Sequence, residues 1–426
     1  MNKFNHKQVN MVELIICLTN AEDLISPELA NHHQQVAYLA FKIAEQLNLP
    51  IKQKRELIMA GLLHDVGALS LNDRLELIEN EPPSAQDHAF KGARLIEGFP
   101  PLCNVADIIR YHHVSWNNGE GITVRGSQVS LLSHIIHLAD RIAVLVNRNH
   151  EIIGQITGIQ NKILEQKNTT FMPELVDAFI SMSVNEYIWL DIAYKPLLYI
   201  LPSIVSFDII NLDSDEIINL TKIFANIIDF RSPFTANHTA GVAKTAEKLA
   251  ELAGFSENEC KMMLVAGYLH DLGKLAVKNE VLEKPSKLNV EEFNEIRSHT
   301  FYTYRLLQAI KEFETINIWA SLHHEKLNGK GYPFHLTGKD IPLGARIMAV
   351  ADIFTAITEN RPYRKGMTNE QVINVLNSMV NDQSICPFVV AILMDNFDLI
   401  NEIRKEAQWK SSIEYNYFID TANQKS

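Results

Sequence analysis

The residues of this sequence best suited to chemistry are histidines and aspartates gathered in its second half. His270 and Asp271 are adjacent, at the end of an apolar segment and just before Leu272-Gly273-Lys274. The same half holds further residues of these two types: His238, His299, His323, His324 and Asp352. Several ionisable groups in one core are costly unless a cation compensates them. Five imidazoles and two carboxylates suit two divalent ions of the Fe, Mn or Ni kind better than a four-coordinate structural zinc. Asp271, as the central carboxylate, is the predicted bridge.

The same residue types recur in the first half of the chain. His64-Asp65 aligns with His270-Asp271 at an offset of 206 residues (270 − 64), and Asp140 aligns with Asp352 at 212 (352 − 140). A drift of a few residues is what loop insertions produce, so we expect two copies of one domain. The predicted boundaries are 1–205 and 206–426. The first copy repeats every ligand type: His32, His64, Asp65, His88, His112, His113 and Asp140.

Hydrophobic spacing predicts that helices position these residues. Apolar residues three and four apart predict a helix that ends at Gly254, and Ser256 begins a capping-box pattern for the next helix. Asn289 is a predicted N-cap, while 213–230 and 346–358 are predicted helices. The alternation typical of strands is scarce. The predicted fold class is therefore all-α, with two tandem helical bundles.

Composition excludes several classes of function. The 426 residues include 39 Lys or Arg and 51 Asp or Glu, a formal charge of −12. Such a chain repels long polyanions, which argues against a general binder of nucleic acid or anionic membrane. The four cysteines form no Cys-x-x-Cys pair, and no apolar stretch is long enough to span a bilayer. We therefore expect a cytoplasmic protein, and the composition is compatible with a homo-oligomer.

Two segments of the second copy resemble a known family. They are His323-His324-Glu325 followed by Asn328-Gly329-Lys330-Gly331-Tyr332-Pro333, and Arg361-Pro362-Tyr363-Arg364 beyond Asp352. Together with His270-Asp271 they resemble the HD-GYP subgroup of the HD superfamily of metal-dependent phosphohydrolases, over about residues 226–370. The resemblance implies two HD-type domains, the second an HD-GYP domain that hydrolyses a cyclic dinucleotide. It implies these metal ligands: His238, His270, Asp271, His299, His323, His324 and Asp352.

The resemblance also implies roles for residues that have plainer interpretations. Lys274 could be a solvated lysine in the last turn of a helix, and Tyr332 an ordinary aromatic in a turn. In the family, Lys274 joins Asp271 in the active site, and Tyr332, Arg361 and Arg364 contact the substrate. A metal-activated hydroxide would then cleave cyclic di-GMP, 3′,3′-cGAMP or both to a linear dinucleotide.

One departure from the family predicts the number of metal ions. Some members carry a glutamate four residues before the first ligand histidine, and that glutamate supports a third metal. Phe234 occupies this position here and cannot ligate. The prediction is a binuclear centre of Fe or Mn, with Ni chemically suited as well.

The first copy lacks the residues expected to handle substrate. Ala68 replaces the active-site lysine, no Gly-Tyr-Pro follows His113, and no Arg-Pro-Tyr-Arg follows Asp140. Our hypothesis is a degenerate HD domain that packs on the catalytic copy and regulates or supports it. Whether its ligand set binds metal is left open.

Two other functions compete with a cyclic-dinucleotide phosphodiesterase. An HD nucleotidase or dNTP phosphohydrolase is disfavoured by the Gly-Tyr-Pro and Arg-Pro-Tyr-Arg segments. A non-catalytic receptor for the dinucleotide is disfavoured by the complete ligand set and Lys274, because a pure receptor needs no activated water.

Overall fold

The chain folds into two units, one of which is built from two stretches that are separated in the sequence. The computed structural model describes residues 9–24, 30–79, 81–82, 84–147, 149–193, 211–232, 236–284, 286–360 and 365–423. Residues 9–24 group with 211–419 in one unit, and 30–193 form the other. We call them the discontinuous unit and the inserted unit.

Among its described residues, the inserted unit consists mainly of helices and contains a short hairpin. Its α-helices and its antiparallel strand pair are α2 (His32–Gln46), α3 (Ile51–Leu63), α4 (Leu71–Glu79), α5 (Ala85–Ile96), α6 (Cys103–Arg110), β2 (Thr123–Val124), β3 (Ser127–Gln128), α7 (Leu131–Leu145), α8 (Ile156–Glu165), α9 (Pro173–Ser183) and α10 (Glu186–Ala193). Short 3₁₀ turns occupy Pro100–Leu102, Asn117–Ile122 and Ile153–Gln155.

The discontinuous unit is also helical. Its strands and α-helices are β1 (Val9–Asn10), α1 (Met11–Asp23), β4 (Asn211–Leu212), α11 (Ser214–Asp229), α12 (His238–Leu252), α13 (Glu257–Leu269), α14 (Asn279–Leu282), α15 (Val290–Gln308), α16 (Glu314–Ser321), α17 (Leu343–Thr358), α18 (Asn369–Asn381), α19 (Pro387–Asp395) and α20 (Phe397–Asn423). The 3₁₀ turns are Leu272–Ala276, Lys311–Phe313 and Gly338–Asp340. The all-α prediction is confirmed. Within the described residues, no helix is both long and apolar enough to cross a membrane.

Local sequence signals set the helix ends as predicted. Ser256 and Asn289 each form a complete capping box with the glutamate three residues later. The helix before Ser256 ends at Leu252, and Gly254 lies just beyond it with φ of +88°. Glycine adopts this left-handed conformation without the strain that a Cβ would cause. The predicted helix 213–230 is observed as α11.

The unit boundaries differ from the predicted 1–205 and 206–426 at the N-terminal end. β1 pairs antiparallel with β4, with Val9 opposite Leu212 and Asn10 opposite Asn211. α1 then packs against the Leu272–Ala276 turn and α15. Most of α1 is buried, including Leu14, Ile15 and Leu18. The first described helix of the chain is therefore part of the unit that carries the second ligand set.

Both units bring their central helices together at the same small residues. A Cβ on Gly61 would lie 2.5 Å from Cα of Ala37, and a Cβ on Gly267 would lie 2.5 Å from Cα of Ala243. These contacts join α2 to α3 and α12 to α13. In each pair, the first helix begins with a predicted ligand histidine and the second helix ends directly before one. The repeat in sequence is thus a repeat in packing.

Candidate metal centre

Five helices of the discontinuous unit converge on the seven predicted ligands. His238 is the first residue of α12, and His270-Asp271 directly follows α13. His299 lies within α15, His323-His324 follows α16, and Asp352 lies on α17. Six of the side chains form two groups, in each of which the donor atoms lie within 4.8 Å of one another: His238, His270 and Asp352; His299, His323 and His324.

Asp271 lies between the two groups and faces both. Its Oδ2 is 3.2 Å from Nε2 of His270, and its Oδ1 is 3.4 Å from Nε2 of His299. Burial alone would raise the pKa of Asp271, but His270 and Lys274 hold it well below its usual range. Each oxygen of an ionised carboxylate therefore points to a different group, as a bridging ligand requires.

Backbone carbonyls orient three of the histidines in the same way. Nδ1 of His270 lies 2.7 Å from the carbonyl oxygen of Gly267. His299 and His323 make the same contact at 2.6 Å, each with the carbonyl three residues earlier. A carbonyl can only accept, so Nδ1 carries the proton and Nε2 presents its lone pair to the cluster. Metal-binding histidines in proteins are held in this manner.

The donor set fits a divalent metal because its buried atoms lack other partners. Nε2 of His270 and Oδ1 of Asp271 are buried without a hydrogen-bond partner among the described residues. An unsatisfied buried polar atom costs about 1–3 kcal/mol. Several such atoms converging on one place are typical of a cation site, because the cation satisfies them. The residues present therefore fit the metal centre that the sequence predicts.

A buried carboxylate that the sequence analysis missed supports His238. Nδ1 of His238 lies 3.1 Å from Oε2 of Glu359, and its Nε2 lies 3.1 Å from Oδ1 of Asp352. Burial alone would lower the pKa of His238, but these carboxylates raise it to about 10. Gln408 donates to the same Glu359 oxygen at 3.1 Å, and Arg404 donates to Gln408. Glu359 lies seven residues, two helical turns, after Asp352, which is a signal the sequence did contain.

Lys274 lies in the turn beyond the His-Asp pair and contacts the cluster through Asp271. Its ammonium is ion-paired with Oδ2 of Asp271, and its side chain is 22% exposed. Arg231, which the sequence analysis missed, donates to the carbonyl oxygen of Lys274 at 2.8 Å. A partly exposed cation is thus held beside the central carboxylate.

The Tyr332 ring already has neighbours within the chain. Its centroid lies 5.0 Å from that of His324, with the planes tilted by 34°. The guanidinium of Arg297, another residue missed from sequence, lies 4.9 Å from the same centroid. The buried Glu325 carboxylate accepts hydrogen bonds from the backbone of Phe334 at 2.6 Å and of Leu336 at 3.0 Å, which holds the Tyr332 loop. The predicted aromatic contact therefore lies at the edge of the cluster.

Three predicted features lie outside the described residues. Arg361 and Arg364, the predicted phosphate contacts, are in residues 361–364, and Phe234 is in residues 233–235. Their roles stay predictions.

The first copy reproduces the ligand geometry within the inserted unit. Oδ2 of Asp65 lies 3.2 Å from Nε2 of His64, and its Oδ1 lies 3.0 Å from Nε2 of His88. Asp65 thus faces two groups as Asp271 does. The groups are His32, His64 and Asp140; Asp65, His88, His112 and His113. Arg141 pairs with Asp140 at 2.7 Å, whereas Ala68 is the buried counterpart of Lys274.

Comparisons with known proteins agree with this geometry. HD-domain family models match residues 29–145 and residues 222–385. The 3'3'-cGAMP-specific phosphodiesterase 1 of Vibrio cholerae serotype O1 is 31% identical over 383 residues, which cover 88% of this chain and 88% of that protein. The cyclic di-GMP phosphodiesterase response regulator of Xanthomonas campestris pv. campestris is 38% identical over 154 residues, which cover 36% of this chain and 41% of that protein.

A solved structure shows the same fold. The crystal structure of a cyclic GMP-AMP-specific phosphodiesterase from V. cholerae superimposes with a TM-score of 0.64 at 24% identity, covering 92% of this chain and 99% of that one. The sequence match along 88% of both chains, with an HD-domain match in each half, shows that this chain belongs to the HD-GYP family of cyclic-dinucleotide phosphodiesterases and carries two HD domains.

Proposed function

We propose that the second HD domain hydrolyses one phosphodiester bond of a cyclic dinucleotide and releases a linear dinucleotide. The observation that carries the proposal is the bridging position of Asp271 between two histidine groups, with the Lys274 ammonium beside it. A phosphodiester is an anion that must be held while a water attacks it. With two divalent ions bound, this cluster would offer a cationic place for that anion in a chain of net charge −12.

Two divalent ions, Fe or Mn, are the cofactor that this donor set suits best, and Ni has compatible chemistry. When bound, such ions lower the pKa of a water and offset the charge that develops on the phosphate. The seven side chains would hold them: His238, His270, Asp271, His299, His323, His324 and Asp352. Glu359 and the three backbone carbonyls fix the ring orientations before any ion arrives, so little reorganisation is needed.

The protein's own cations would then bind the substrate. Lys274 is placed to hold a phosphate oxygen, because its ammonium is partly exposed and adjacent to Asp271. Arg361 and Arg364 are proposed as further phosphate contacts on the sequence motif alone. Tyr332 is proposed to contact a base at the edge of the cluster, with Arg297 beside it.

The substrate favoured is 3′,3′-cGAMP over cyclic di-GMP. The relative that matches across both HD domains is named as specific for 3'3'-cGAMP. The relative named for cyclic di-GMP that is 38% identical covers 36% of this chain. The first HD domain, which has Ala68 in place of the lysine, is proposed to be regulatory or structural.

The direct test is to supply the full-length, Mn²⁺-reconstituted protein with 3′,3′-cGAMP, cyclic di-GMP and a dNTP, and to follow products by chromatography. We expect a linear dinucleotide, formed faster from 3′,3′-cGAMP. Asp271→Ala should abolish this turnover, and the matched Asp65→Ala in the first domain should retain it. If neither dinucleotide is cleaved while metal is bound, the proposal is wrong.

A further inference from the structure

The first HD domain contains more buried histidines than its ligand set uses. Beyond the five ligand positions, His33, His134 and His137 are each at most 5% exposed. The second domain has one histidine beyond its five, His335, and that residue is exposed. The domain that lacks the catalytic lysine is therefore the one with surplus imidazoles.

His137 is the surplus histidine that faces a carboxylate. It lies on α7, three residues before Asp140, and is 1% exposed. Its Nε2 is 2.8 Å from Oε1 of Glu81. Even so, neither ring nitrogen of His137 has a well-aligned hydrogen-bond partner among the described residues. Such a close but misaligned nitrogen and oxygen are expected where the lone pair of each atom points at a third atom between them.

Glu81 also reaches a histidine of the binuclear set. Its Oε1 lies 2.6 Å from Nδ1 of His113, and the Nε2 of His113 lies 3.2 Å from Nε2 of His88. The two nitrogens of His113 thus face two different places. A neutral imidazole has one lone pair, so His113 can offer it to one of these two places.

The three side chains form a second compact donor set, which shares His113 with the binuclear set. One donor atom from each of Glu81, His113 and His137 lies within 4.8 Å of the others. Two ligand atoms that each lie about 2.1 Å from a metal ion are roughly 3.0 Å apart when the angle at the metal is 90° and roughly 3.4 Å apart when it is tetrahedral. The observed 2.6 and 2.8 Å are a few tenths of an ångström shorter. The Glu81 side chain is 26% exposed, which leaves water access to the site.

The second domain has no equivalent of this arrangement at the aligned positions. At the offset of Asp140 and Asp352, His137 corresponds to Ala349. At the offset of His88 and His299, Glu81 corresponds to Glu292, which caps α15 and pairs with Lys284. The cluster is thus a property of the first domain.

We propose that Glu81, His137 and Nδ1 of His113 bind a divalent transition-metal ion in the first HD domain. Two imidazoles and one carboxylate, with the remaining positions open to water, suit Fe²⁺, Co²⁺ or Zn²⁺. A different assignment would make Glu81 only a carboxylate that orients His113. That assignment gives His137 no task, and it predicts that removing His137 leaves the metal content unchanged.

The test uses the full-length protein, stripped of metal and reconstituted with Co²⁺, and measures cobalt per chain by elemental analysis. His137→Gln and Glu81→Gln should each bind one ion fewer than the parent and lose the same component of the Co²⁺ absorption spectrum. His134→Gln is the matched control, because His134 lies on the same helix and is 5% exposed, and it should bind as many ions as the parent.

Three outcomes would overturn the proposal. One is equal cobalt content in His137→Gln and the parent. Another is an equal loss in the His134→Gln control. The third is a loss in Glu81→Gln alone, which would identify Glu81 as an orienting carboxylate. Thermal unfolding of each variant confirms that the comparison is between folded proteins, and His137→Ala provides a second variant of the key position.

Discussion

Glu359 offers the sharpest test of how the metal centre is held. It is 6% exposed, and its Oε2 lies 3.1 Å from Nδ1 of His238. Glu359→Gln keeps the shape of the side chain and removes its charge. At this distance, opposite unit charges interact by about 5 kcal/mol at an effective dielectric constant of 20 and by about 1 kcal/mol in water. The imidazole of a metal-bound histidine carries only part of a charge, so the loss lies below the upper figure.

A loss of that size corresponds to the effect seen for carboxylates behind metal-binding histidines in general, which is about 10–100-fold in metal affinity. We therefore expect Glu359→Gln to weaken Mn²⁺ binding about 10–100-fold. Competition with a chelator of known affinity measures this directly. Turnover of the cyclic dinucleotide should fall at limiting Mn²⁺ and recover when Mn²⁺ is in excess.

Two comparison variants make the result specific. Gln408→Leu removes the amide that donates to Glu359 but keeps the carboxylate, so its effect should be smaller. Glu292→Gln changes a partly exposed helix-capping glutamate on the helix that carries His299 and should leave Mn²⁺ affinity unchanged. Affinity within twofold of the parent in Glu359→Gln, or a loss of turnover that excess Mn²⁺ does not restore, would refute the reasoning.

Three further predictions address other parts of the second domain. Lys274→Met should lower kcat about 10²–10³-fold, the usual effect of losing one charged contact to a reacting anion, while metal content by elemental analysis stays unchanged. Gly273→Ala should destabilise the protein by about 1–3 kcal/mol in denaturant unfolding, because the added Cβ would lie 2.0 Å from the carbonyl oxygen of His299; an unchanged midpoint would contradict this. Burial raises the pKa of Asp229 from its ordinary value to about 7, so its neutral form is favoured on folding. Its stabilising contribution is full below the unfolded pKa of about 4 and is lost as the pH rises through 7. Between pH 5 and pH 8, the midpoint temperature of thermal unfolding of the metal-free parent should therefore fall relative to that of Asp229→Asn. A difference in midpoint that is independent of pH would exclude this assignment.

The grouping of the seven candidate ligands could be predicted from sequence because each residue type recurs at the aligned position of the other copy. The helix ends could be predicted because capping residues act over three or four positions, as Ser256 and Asn289 show. Glu359 had a usable signal in its spacing of two helical turns from Asp352. Gln408, which holds Glu359 in place, is on α20 and 49 residues further along the chain, so only the folded structure brings them together.

The membership of α1 could not be predicted for a different reason. The apolar pattern of α1 predicts that the helix is buried but does not identify the elements it packs against, because burial of apolar surface is non-directional. A domain duplication also suggests that the chain divides at one point, whereas β1 and β4 join residues from both sides of the first HD domain. The extra site in that domain escaped notice because Glu81 and His137 belong to no repeated motif.

The pairing of β1 with β4 also imposes an order on synthesis. Asp23 and Asn211 are separated by 188 positions (211 − 23), and the first HD domain is made in between. At roughly 5–20 residues per second, β1 and α1 are synthesised about 10–40 s before β4, the strand that pairs with β1. During that interval, Leu14, Ile15 and Leu18 have no native core to enter. The first HD domain can fold in that time as a separate unit. The nascent α1 meanwhile exposes apolar side chains to which a chaperone can bind.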